Sequence, residues 1–548
     1  MAGRIEEPDC ARVETDAVRT QLAHSRPTAA SVAAVYRDVL GLHDCAEDES
    51  FFRIGGDSFQ AALVLAVLAR CHGVRLPLAE MYRDSSPATV AKGLRELMDR
   101  PRPRLRRSIT SLARRRRTWV PLSMSQESLY AMDRATGGAG LFNNIGRLKL
   151  CGDIDPGALR QALADTVRRQ PALRTVFGEE DGRPVQRFVE QDAPQIDVCD
   201  LRAENGAALL RRCVREQHLR GFDMHAGPPV RFVLARTADR EWTVLTAVHH
   251  IVFDGMSQSL LLDEIAQAYA HRVGAAPEGP APEFTYADFA HWQRYTLRGE
   301  RLEEHLRGLA EAVRHTPSPI IGDGALGKGY TSRIRPFEVE DAIVQKLRYR
   351  AAGHDTTLFV GLVATLLEFA ARRVGGTRQL VAVQAANRGL PGTEDVIGCF
   401  SNTLYVSAEA RPSLDPEERL TRTRDDVARA LLHEEMPLDY ALGLLAERGV
   451  GGACRPQIGF ALQPPRHQTR ELPGGVLEAE YLLQSGDTVD PTNFPFVLEL
   501  FAEPRGLAGV SHHRLAVWPE GAFEVAERQL AAAFEHMTLT GRPSVTER

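Results

Sequence analysis

The sequence predicts a small all-α four-helix bundle followed by a larger α/β region with two lobes. Its 548 residues exceed what one hydrophobic core organises and correspond to about three or four globular units of ordinary size. Residues 29–99 carry short amphipathic stripes at helical spacing, which is typical of a helical bundle. Beyond Trp119, helix and strand patterns alternate, which indicates an α/β architecture.

The first 99 residues divide into a polar leader and the bundle. Residues 1–28 are polar and lack sustained periodicity, so we expect a leader without chemistry of its own. In the bundle at 29–99, the first helical stripe consists of Val32, Val35, Tyr36, Val39 and Leu40. A second apolar stripe at residues 61–68 follows a glycine turn and indicates a second helix. A further helix start is indicated at Pro87.

Residues 100–118 are rich in arginine and proline. Such a run can bind nucleic acid, but no aromatic residues are interleaved with it and the chain has a net charge of −5. Proline favours an extended backbone, and like charges repel one another. We therefore predict a solvated linker and no nucleic-acid partner.

The α/β region has its clearest patterns in five places after the helix that Asp155 and Pro156 introduce. These are strands at 230–235 and 242–248, a helix at 358–371, a strand at 379–384 and a helix at 522–534. About 430 residues exceed one usual domain, so we expect lobes at 119–298 and 299–548. A cleft between the lobes is the natural place for a site.

Composition excludes several classes of protein. With 43% hydrophobic and 25% charged residues, most of the chain should fold as a soluble protein. The N-terminus lacks the apolar core of a signal peptide, and no stretch of about 18 uncharged apolar residues is present to span a bilayer. The eight cysteines lack the C-x-x-C and Cys/His spacings typical of structural zinc, so we expect reduced thiols and no metal. We expect a cytoplasmic, monomeric enzyme without a membrane partner, in which Cys399 is a buried filler, with a catalytic thiol as the alternative.

Ser58 is the candidate attachment residue of the bundle. Gly55 and Gly56 give a tight turn, and Ser58 falls where a helix begins, so its side chain suits an N-cap. A phosphate on this hydroxyl would also lie near the positive end of the helix. Residues 51–60 resemble the phosphopantetheine attachment motif of acyl and peptidyl carrier proteins. The resemblance implies that a phosphopantetheinyl transferase installs a covalent 4′-phosphopantetheine on Ser58, with an acyl or aminoacyl thioester at its tip.

Paired histidines at 249 and 250 end a buried strand pattern and are followed by Asp254 and Gly255. They are the third of seven motifs in order, at 123–130, 169–177, 249–255, 286–293, 397–403, 433–437 and around 455–456. Through these motifs, residues 119–548 resemble a nonribosomal peptide synthetase condensation domain of the chloramphenicol-acetyltransferase-like fold. The resemblance implies transfer of a carrier-bound acyl, aminoacyl or peptidyl group to an acceptor amine or hydroxyl, forming an amide or ester, as in antibiotic or siderophore biosynthesis.

The chemistry of amine attack on a thioester assigns candidate roles. At pH 7 about a tenth or more of a free α-amine is neutral, so holding the amine and removing its proton are the main tasks. We predict that His250 contacts the nucleophile as base, hydrogen-bond acceptor or both. His249 should point to the opposite face and pack structurally, with a direct catalytic role as the alternative. Gly255 permits close backbone approach and can place an N–H near the developing oxyanion.

Asp254 has two interpretations, a second carboxylate base or a buried acid paired with arginine. A buried carboxylate needs a partner, and the family resemblance assigns this acid a structural ion pair. Arg388 is the first candidate partner and Arg174 the second.

Sequence motifs of other activities are incomplete or absent. Residues 322–329 nearly form a P-loop, but glycine replaces the Ser/Thr that would hold magnesium. No G-x-S-x-G elbow and no adenylation-domain pattern appear. We therefore predict a carrier protein joined to a condensation domain, loaded by an adenylation domain acting in trans. The acceptor would be a second carrier protein or a free small-molecule amine.

Two alternative functions remain open at this point. The first is epimerisation of a carrier-bound aminoacyl group; against it, Ser257 is followed by Gln258 and not by the tryptophan that epimerisation domains share after that serine. The second is a non-catalytic platform that recruits tailoring enzymes, against which the intact His250 argues.

Overall fold

The computed structural model describes most of the chain. The described residues are 26–99, 119–138, 140–189, 194, 196–314, 331–374, 378–390, 392–411, 414–450, 456–483, 486–489, 494–503, 506–519 and 521–539. The leader to residue 25, the linker at 100–118 and the P-loop-like segment at 322–329 lie outside these ranges. None of the helices within them has the length and apolar character needed to cross a membrane.

The N-terminal bundle has four helices, as the sequence predicts. They are α1 (Ala29–Leu40), α2 (Ser58–His72), α3 (Leu78–Arg83) and α4 (Pro87–Asp99). Helix α1 ends at Gly41, which has the left-handed conformation (φ 66°) that glycine adopts without strain. Tyr36 packs edge-on against Phe51 with ring centroids 4.7 Å apart, and its hydroxyl donates to the Ser85 carbonyl at 2.8 Å. The largely aliphatic core therefore contains an aromatic pair, and the buried hydroxyl of Tyr36 has a hydrogen-bond partner.

The first lobe is built on a six-stranded and a three-stranded sheet. Its strands are β1 (Val120–Pro121), β2 (Asn143–Gly152), β3 (Thr175–Glu180), β4 (Arg183–Phe188), β5 (Ile196–Asp200), β6 (Val230–Ala238) and β7 (Glu241–His249). Its helices are α5 (Met124–Ala135), α6 (Pro156–Arg169), α7 (Gly206–Leu219), α8 (Gly255–Arg272) and α9 (Tyr286–Thr296). Helix α10 (Glu300–Arg314) follows and contacts the second lobe at Asn402–Glu409 and Leu438–Glu447. Central strand β7 lies between β2 and β6 and is almost continuously buried, so the paired histidines emerge from the middle of the sheet.

The second lobe is built on a seven-stranded sheet in the order β10-β9-β11-β15-β16-β8-β14. The strands are β8 (Thr331–Val339), β9 (Arg378–Ala385), β10 (Asn402–Glu409), β11 (Ile458–Gln463), β14 (Gly486–Val489), β15 (Phe496–Glu503) and β16 (Gly506–Arg514). The helices are α11 (Asp341–Gly353), α12 (Leu358–Val374), α13 (Pro416–Leu431), α14 (Leu438–Glu447) and α15 (Ala522–Thr538). Strands β9, β11 and β15 run parallel, so their carboxyl ends lie at one edge of the sheet. The predicted bundle followed by a two-lobed α/β region is the observed architecture.

A hairpin from the C-terminal part of the chain joins the sheet of the first lobe. Strands β12 (His467–Leu472) and β13 (Gly475–Tyr481) extend the six-stranded sheet, because β13 pairs antiparallel with β2. Arg470 donates from the hairpin to Asp263 of α8 at 2.6 Å. The lobes are therefore connected by shared strands as well as by the chain between them.

The bundle packs against the second lobe. Helix α3 lies on α13, and the apolar cores of the two units form one continuous cluster. Ion pairs flank this contact: Arg53 with Asp355 at 3.0 Å, and Arg75 with Glu434 at 2.5 Å and with Glu435. The contact thus combines an apolar centre with paired charges at its edge.

Candidate active site

A cavity of about 460 Å³ runs between the lobes and reaches the bundle. It is lined from the bundle by Ser58 and Tyr82, from the first lobe by Asn144 and His250, and from the second lobe by Arg388, among other residues. Its volume is within the range of small-molecule sites. The sequence-predicted Ser58 and His250 therefore open onto the same space.

His250 follows the last residue of β7 and begins a short 3₁₀ turn. Its Nδ1 lies 2.5 Å from the Phe253 carbonyl oxygen. A carbonyl only accepts, so Nδ1 carries the proton and the neutral ring has its lone pair on Nε2. Burial lowers the pKa of His250, which keeps the ring neutral near pH 7. The side chain is therefore prepared to accept a proton at Nε2.

His249 points away from the cavity into the first lobe. It is 1% exposed, packs between Phe142 and Phe222, and accepts a hydrogen bond at Nδ1 from the Ile251 N–H at 3.1 Å. Its Nε2 faces the Asp133 carboxylate at 3.4 Å. These contacts are those of a packing residue, and nothing in them supports the alternative of direct catalysis.

Asp254 is a buried acid with donors at both oxygens. Arg388 Nη2 and the Ser257 N–H each donate to Oδ1 at 2.8 Å. The backbone N–H groups of Phe400 and Ser401 donate to Oδ2 at 3.0 and 3.2 Å. Hydrogen bonds to both oxygens hold the surrounding loop in place. They agree with the interpretation of Asp254 as a buried acid paired with arginine.

The partner of Asp254 is Arg388, the first candidate, and not Arg174. Arg388 also donates to the carbonyls of Thr393 and Val396 and lies over the Phe400 ring, so it links the helix after the histidines to the second lobe. Arg174 instead donates to the Val189 carbonyl at 3.1 Å. Its guanidinium also lies over the Phe188 ring of β4, so these two contacts lie at the three-stranded sheet.

Gly255 is the first residue of α8 and faces a polar wall of the cavity. A Cβ at this position would lie 2.3 Å from Gln463 Oε1, so the close approach predicted for this glycine is made to a side-chain amide. Gln463 in turn donates to Glu499 at 3.1 Å. On the same wall, Tyr481 donates to Asn144 at 3.1 Å.

Sequence reasoning missed Gln463, Glu499, Tyr481 and Asn144 as cavity residues. They lie on four different strands, β11, β15, β13 and β2, and a single polar residue on a strand gives no local signal. Cys399 is 2% exposed, and burial raises the pKa of its thiol. The thiol therefore stays protonated at neutral pH, as a buried filler would.

Ser58 lies at the mouth of the cavity. Its Oγ is 2.9 Å from the Tyr82 hydroxyl and 3.3 Å from Thr357 Oγ1 of the second lobe. The prediction that Ser58 is the N-cap is wrong by one residue. Asp57 caps α2, because its carboxylate accepts from the Gln60 N–H at 2.8 Å, and Ser58 is the first helical residue.

Comparison with known families identifies both units. A family model described as "Condensation domain" matches residues 116–448, and one described as "Phosphopantetheine attachment site" matches residues 30–94. The chain is 29% identical over 487 residues to a linear gramicidin synthase protein of Brevibacillus parabrevis, covering 86% of this chain and 6% of that protein. It is 31% identical over 331 residues to phosphinothricin tripeptide synthetase PhsC of Streptomyces viridochromogenes, covering 58% of this chain and 30% of that protein.

Solved structures show the same fold. The first condensation domain of the calcium-dependent antibiotic synthetase aligns with a TM-score of 0.64 at 19% identity, covering 77% of this chain and 97% of that one. The X-domain in its complex with OxyB from teicoplanin biosynthesis aligns with a TM-score of 0.65 at 21% identity, covering 79% and 95%. This chain spans only 6 to 10% of the length of the three gramicidin synthase proteins that it matches. The chain is a carrier–condensation didomain of the nonribosomal peptide synthetase family.

Proposed function

We propose that this chain transfers an acyl, aminoacyl or peptidyl group from its own Ser58 to an acceptor amine or hydroxyl held at His250, forming an amide or ester. One observation carries this proposal: Ser58 and His250 line a single cavity. The family matches are to condensation domains and peptide synthetases, and they do not favour the epimerase or the recruitment platform.

The residues around Ser58 fit a 4′-phosphopantetheine group. Ser58 is half-buried at the cavity mouth, in the first turn of α2, and the cavity continues from it to His250. When bound, the group supplies a thioester whose carbonyl is open to attack. The condensation domain contributes apolar walls such as Phe460 and Leu462, which exclude water from that thioester.

His250 acts on the acceptor in this proposal. Its Nε2 lone pair would hold the amine N–H and receive the proton that the amine loses as the C–N bond forms. The same ring would return that proton to the thiolate released when the thioester C–S bond breaks. Positioning contributes up to about 7–11 kcal/mol, whereas a general base gives about 10²–10⁴-fold. Asp254 and Arg388 are positioning residues, because they bond to each other and fix the turn that carries His250.

Delivery from the chain's own carrier is supported by the docked contact. A tethered group has an effective concentration on the order of millimolar, so the contact needs little affinity of its own. The proposed partners are a phosphopantetheinyl transferase, an adenylation domain acting in trans, and an acceptor on a second carrier protein or free as a small-molecule amine.

Replacing Arg75 by alanine is expected to lower the rate of transfer from Ser58 about tenfold, since a hydrogen bond to a charged group contributes about 1.5–3 kcal/mol. Arg75 pairs with Glu434 and Glu435, whose side chains are largely buried. The rate is measured as loss of acyl mass from the loaded chain in a single turnover. The control is Arg83→Ala, which removes an exposed pair with Glu80 inside the bundle. Equal rates for the two variants would contradict a role of the contact in delivery.

Incubating the chain with coenzyme A and a broad-specificity transferase is expected to add one phosphopantetheine, with adenosine bisphosphate as the leaving product. Intact-mass analysis measures the addition, and Ser58→Ala should show none. If the Ser58→Ala variant still gains the mass, the group is attached to another serine. A wild-type chain that gains no mass would reject the carrier assignment.

A further inference from the structure

Three polar residues of the condensation domain line the cavity together with Ser58. Thr357 Oγ1 is within hydrogen-bond distance of Ser58 Oγ, and Thr356 and Arg348 are the other two. Thr356 and Thr357 directly precede α12, and Arg348 lies one helical turn before Ala352 on α11. No step of the proposed reaction uses any of the three.

Thr356 has an unsatisfied hydroxyl. The residue is 2% exposed, and its Oγ1 has no hydrogen-bond partner among the described residues. Buried hydroxyls nearly always have a partner, because an unpaired one loses its bonds to water without replacement. An orphan hydroxyl beside a residue that carries a covalent group indicates that the group supplies the missing bond.

Arg348 has an uncommitted positive charge. The residue is exposed on α11 and lines the cavity with Ser58, and within the described part of the chain it forms no hydrogen bond and no ion pair. The nearby Arg53 differs, since it is paired with Asp355 at 3.0 Å. Arg348 is therefore available to an anion that arrives with the carrier.

The start of α12 adds to this positive character. Helix α12 has 17 residues, and Thr357 accepts at Oγ1 from the Val360 N–H at 3.4 Å, as an N-cap does. The positive end of the helix dipole and the first-turn N–H groups favour an anion at this position. Two acids are also close: Asp57, which caps α2, and Asp355, which Arg53 neutralises. The two arginines and the two acids therefore balance, and the attraction for a further anion comes from the helix N-terminus and the unpaired hydroxyl of Thr356.

We propose that Arg348, Thr356 and Thr357 form an anion cradle for the phosphodiester that joins the prosthetic arm to Ser58. The inference rests on the proposed attachment at Ser58. The phosphodiester carries a single negative charge next to Ser58 Oγ, where Tyr82 and Thr357 already donate or accept. The condensation domain thereby distinguishes a modified carrier from an unmodified one, and the modified carrier docks more firmly.

Hydrogen–deuterium exchange on the full chain, with and without the phosphopantetheine group, tests the cradle. Modification is expected to slow exchange of the amides at 354–361 about tenfold, because charge-assisted hydrogen bonds at the phosphate shift the docking equilibrium. Arg348→Gln should remove most of this difference, and Thr356→Val should reduce it. The matched control is Lys346→Gln, which removes an exposed charge from the same helix at a position outside the cavity lining.

The possible outcomes separate the cradle from the attachment itself. An equal effect of modification in wild type, Arg348→Gln and Thr356→Val, or no effect in wild type, would overturn the cradle while intact mass still shows attachment at Ser58. Absence of the mass increase would reject the attachment and the cradle with it. Loss of the difference in Arg348→Gln but not in Lys346→Gln would support the cradle.

Discussion

Replacing His250 by alanine is expected to slow acyl transfer about 10²–10⁴-fold, the usual contribution of a general base. The Phe253 carbonyl fixes the neutral tautomer with Nε2 as acceptor, and no other described histidine among the cavity-lining residues has this arrangement next to Asp254. Since burial lowers the pKa of His250, the wild-type ring stays neutral as the pH falls through 6.5, its ordinary value. Single-turnover transfer to a saturating acceptor measures the effect.

The matched control for this experiment is His271→Ala, an exposed histidine on α8. It should transfer at the wild-type rate. Circular dichroism should show that both variants keep the fold, because a side chain that lines a cavity leaves the core packing intact. Wild-type turnover of His250→Ala would show that the histidine-centred mechanism is wrong.

Replacing Asp254 by alanine is expected to lower the free energy of unfolding by about 3–5 kcal/mol, the typical cost of leaving one partner of a buried pair unpaired. The guanidinium of Arg388 is 5% exposed and would lose its carboxylate. Helix α8 would also lose its N-cap bond at Ser257, which contributes about 1 kcal/mol. Transfer activity should fall too, because the turn of His250 loses its anchor. Urea denaturation of the full chain measures the stability change.

Two further variants show whether the loss of stability is specific to the buried pair of Asp254 and Arg388. Asp239→Ala removes an exposed ion pair with Arg202 and should change stability by less than about 1 kcal/mol. Asp254→Ala combined with Arg388→Met removes both charges and should recover part of the loss, since no buried charge is left alone. If Asp254→Ala is as stable as Asp239→Ala, the buried pair does not hold the loop.

Long, regular patterns made much of the secondary structure predictable. The strands predicted at 230–235 and 242–248 are β6 and β7, and the helix predicted at 358–371 is α12. Each is a nearly continuous apolar run, and length separates them, since the two short runs are strands and the long run is a helix. The hairpin of β12 and β13 was not predictable, because its pairing with β2 depends on contacts more than 300 residues apart along the chain.

The residues of the functional site were likewise only partly predictable from sequence. The segment from His249 to Gly255 gives a local signal, so His250 and Asp254 could be named from sequence. Arg388 lies 134 residues from Asp254 in the chain. The sequence alone therefore indicated two candidate partners for this acid and could not decide between them. The docked position of Ser58, Gln463 on the cavity wall and the orphan hydroxyl of Thr356 have no sequence signal, because each exists only when separate elements meet.

The central claim is that the group on Ser58 reaches His250 of the same chain, and complementation between two variants tests it most directly. A loaded His250→Ala chain is mixed at micromolar concentration with unloaded Ser58→Ala chain and a saturating acceptor, and loss of acyl mass is followed. We predict no recovery toward the wild-type rate, because a tethered carrier competes at an effective concentration on the order of millimolar. Recovery of the wild-type rate in the mixture would contradict the claim, since it would show that Ser58 serves the cavity of another chain.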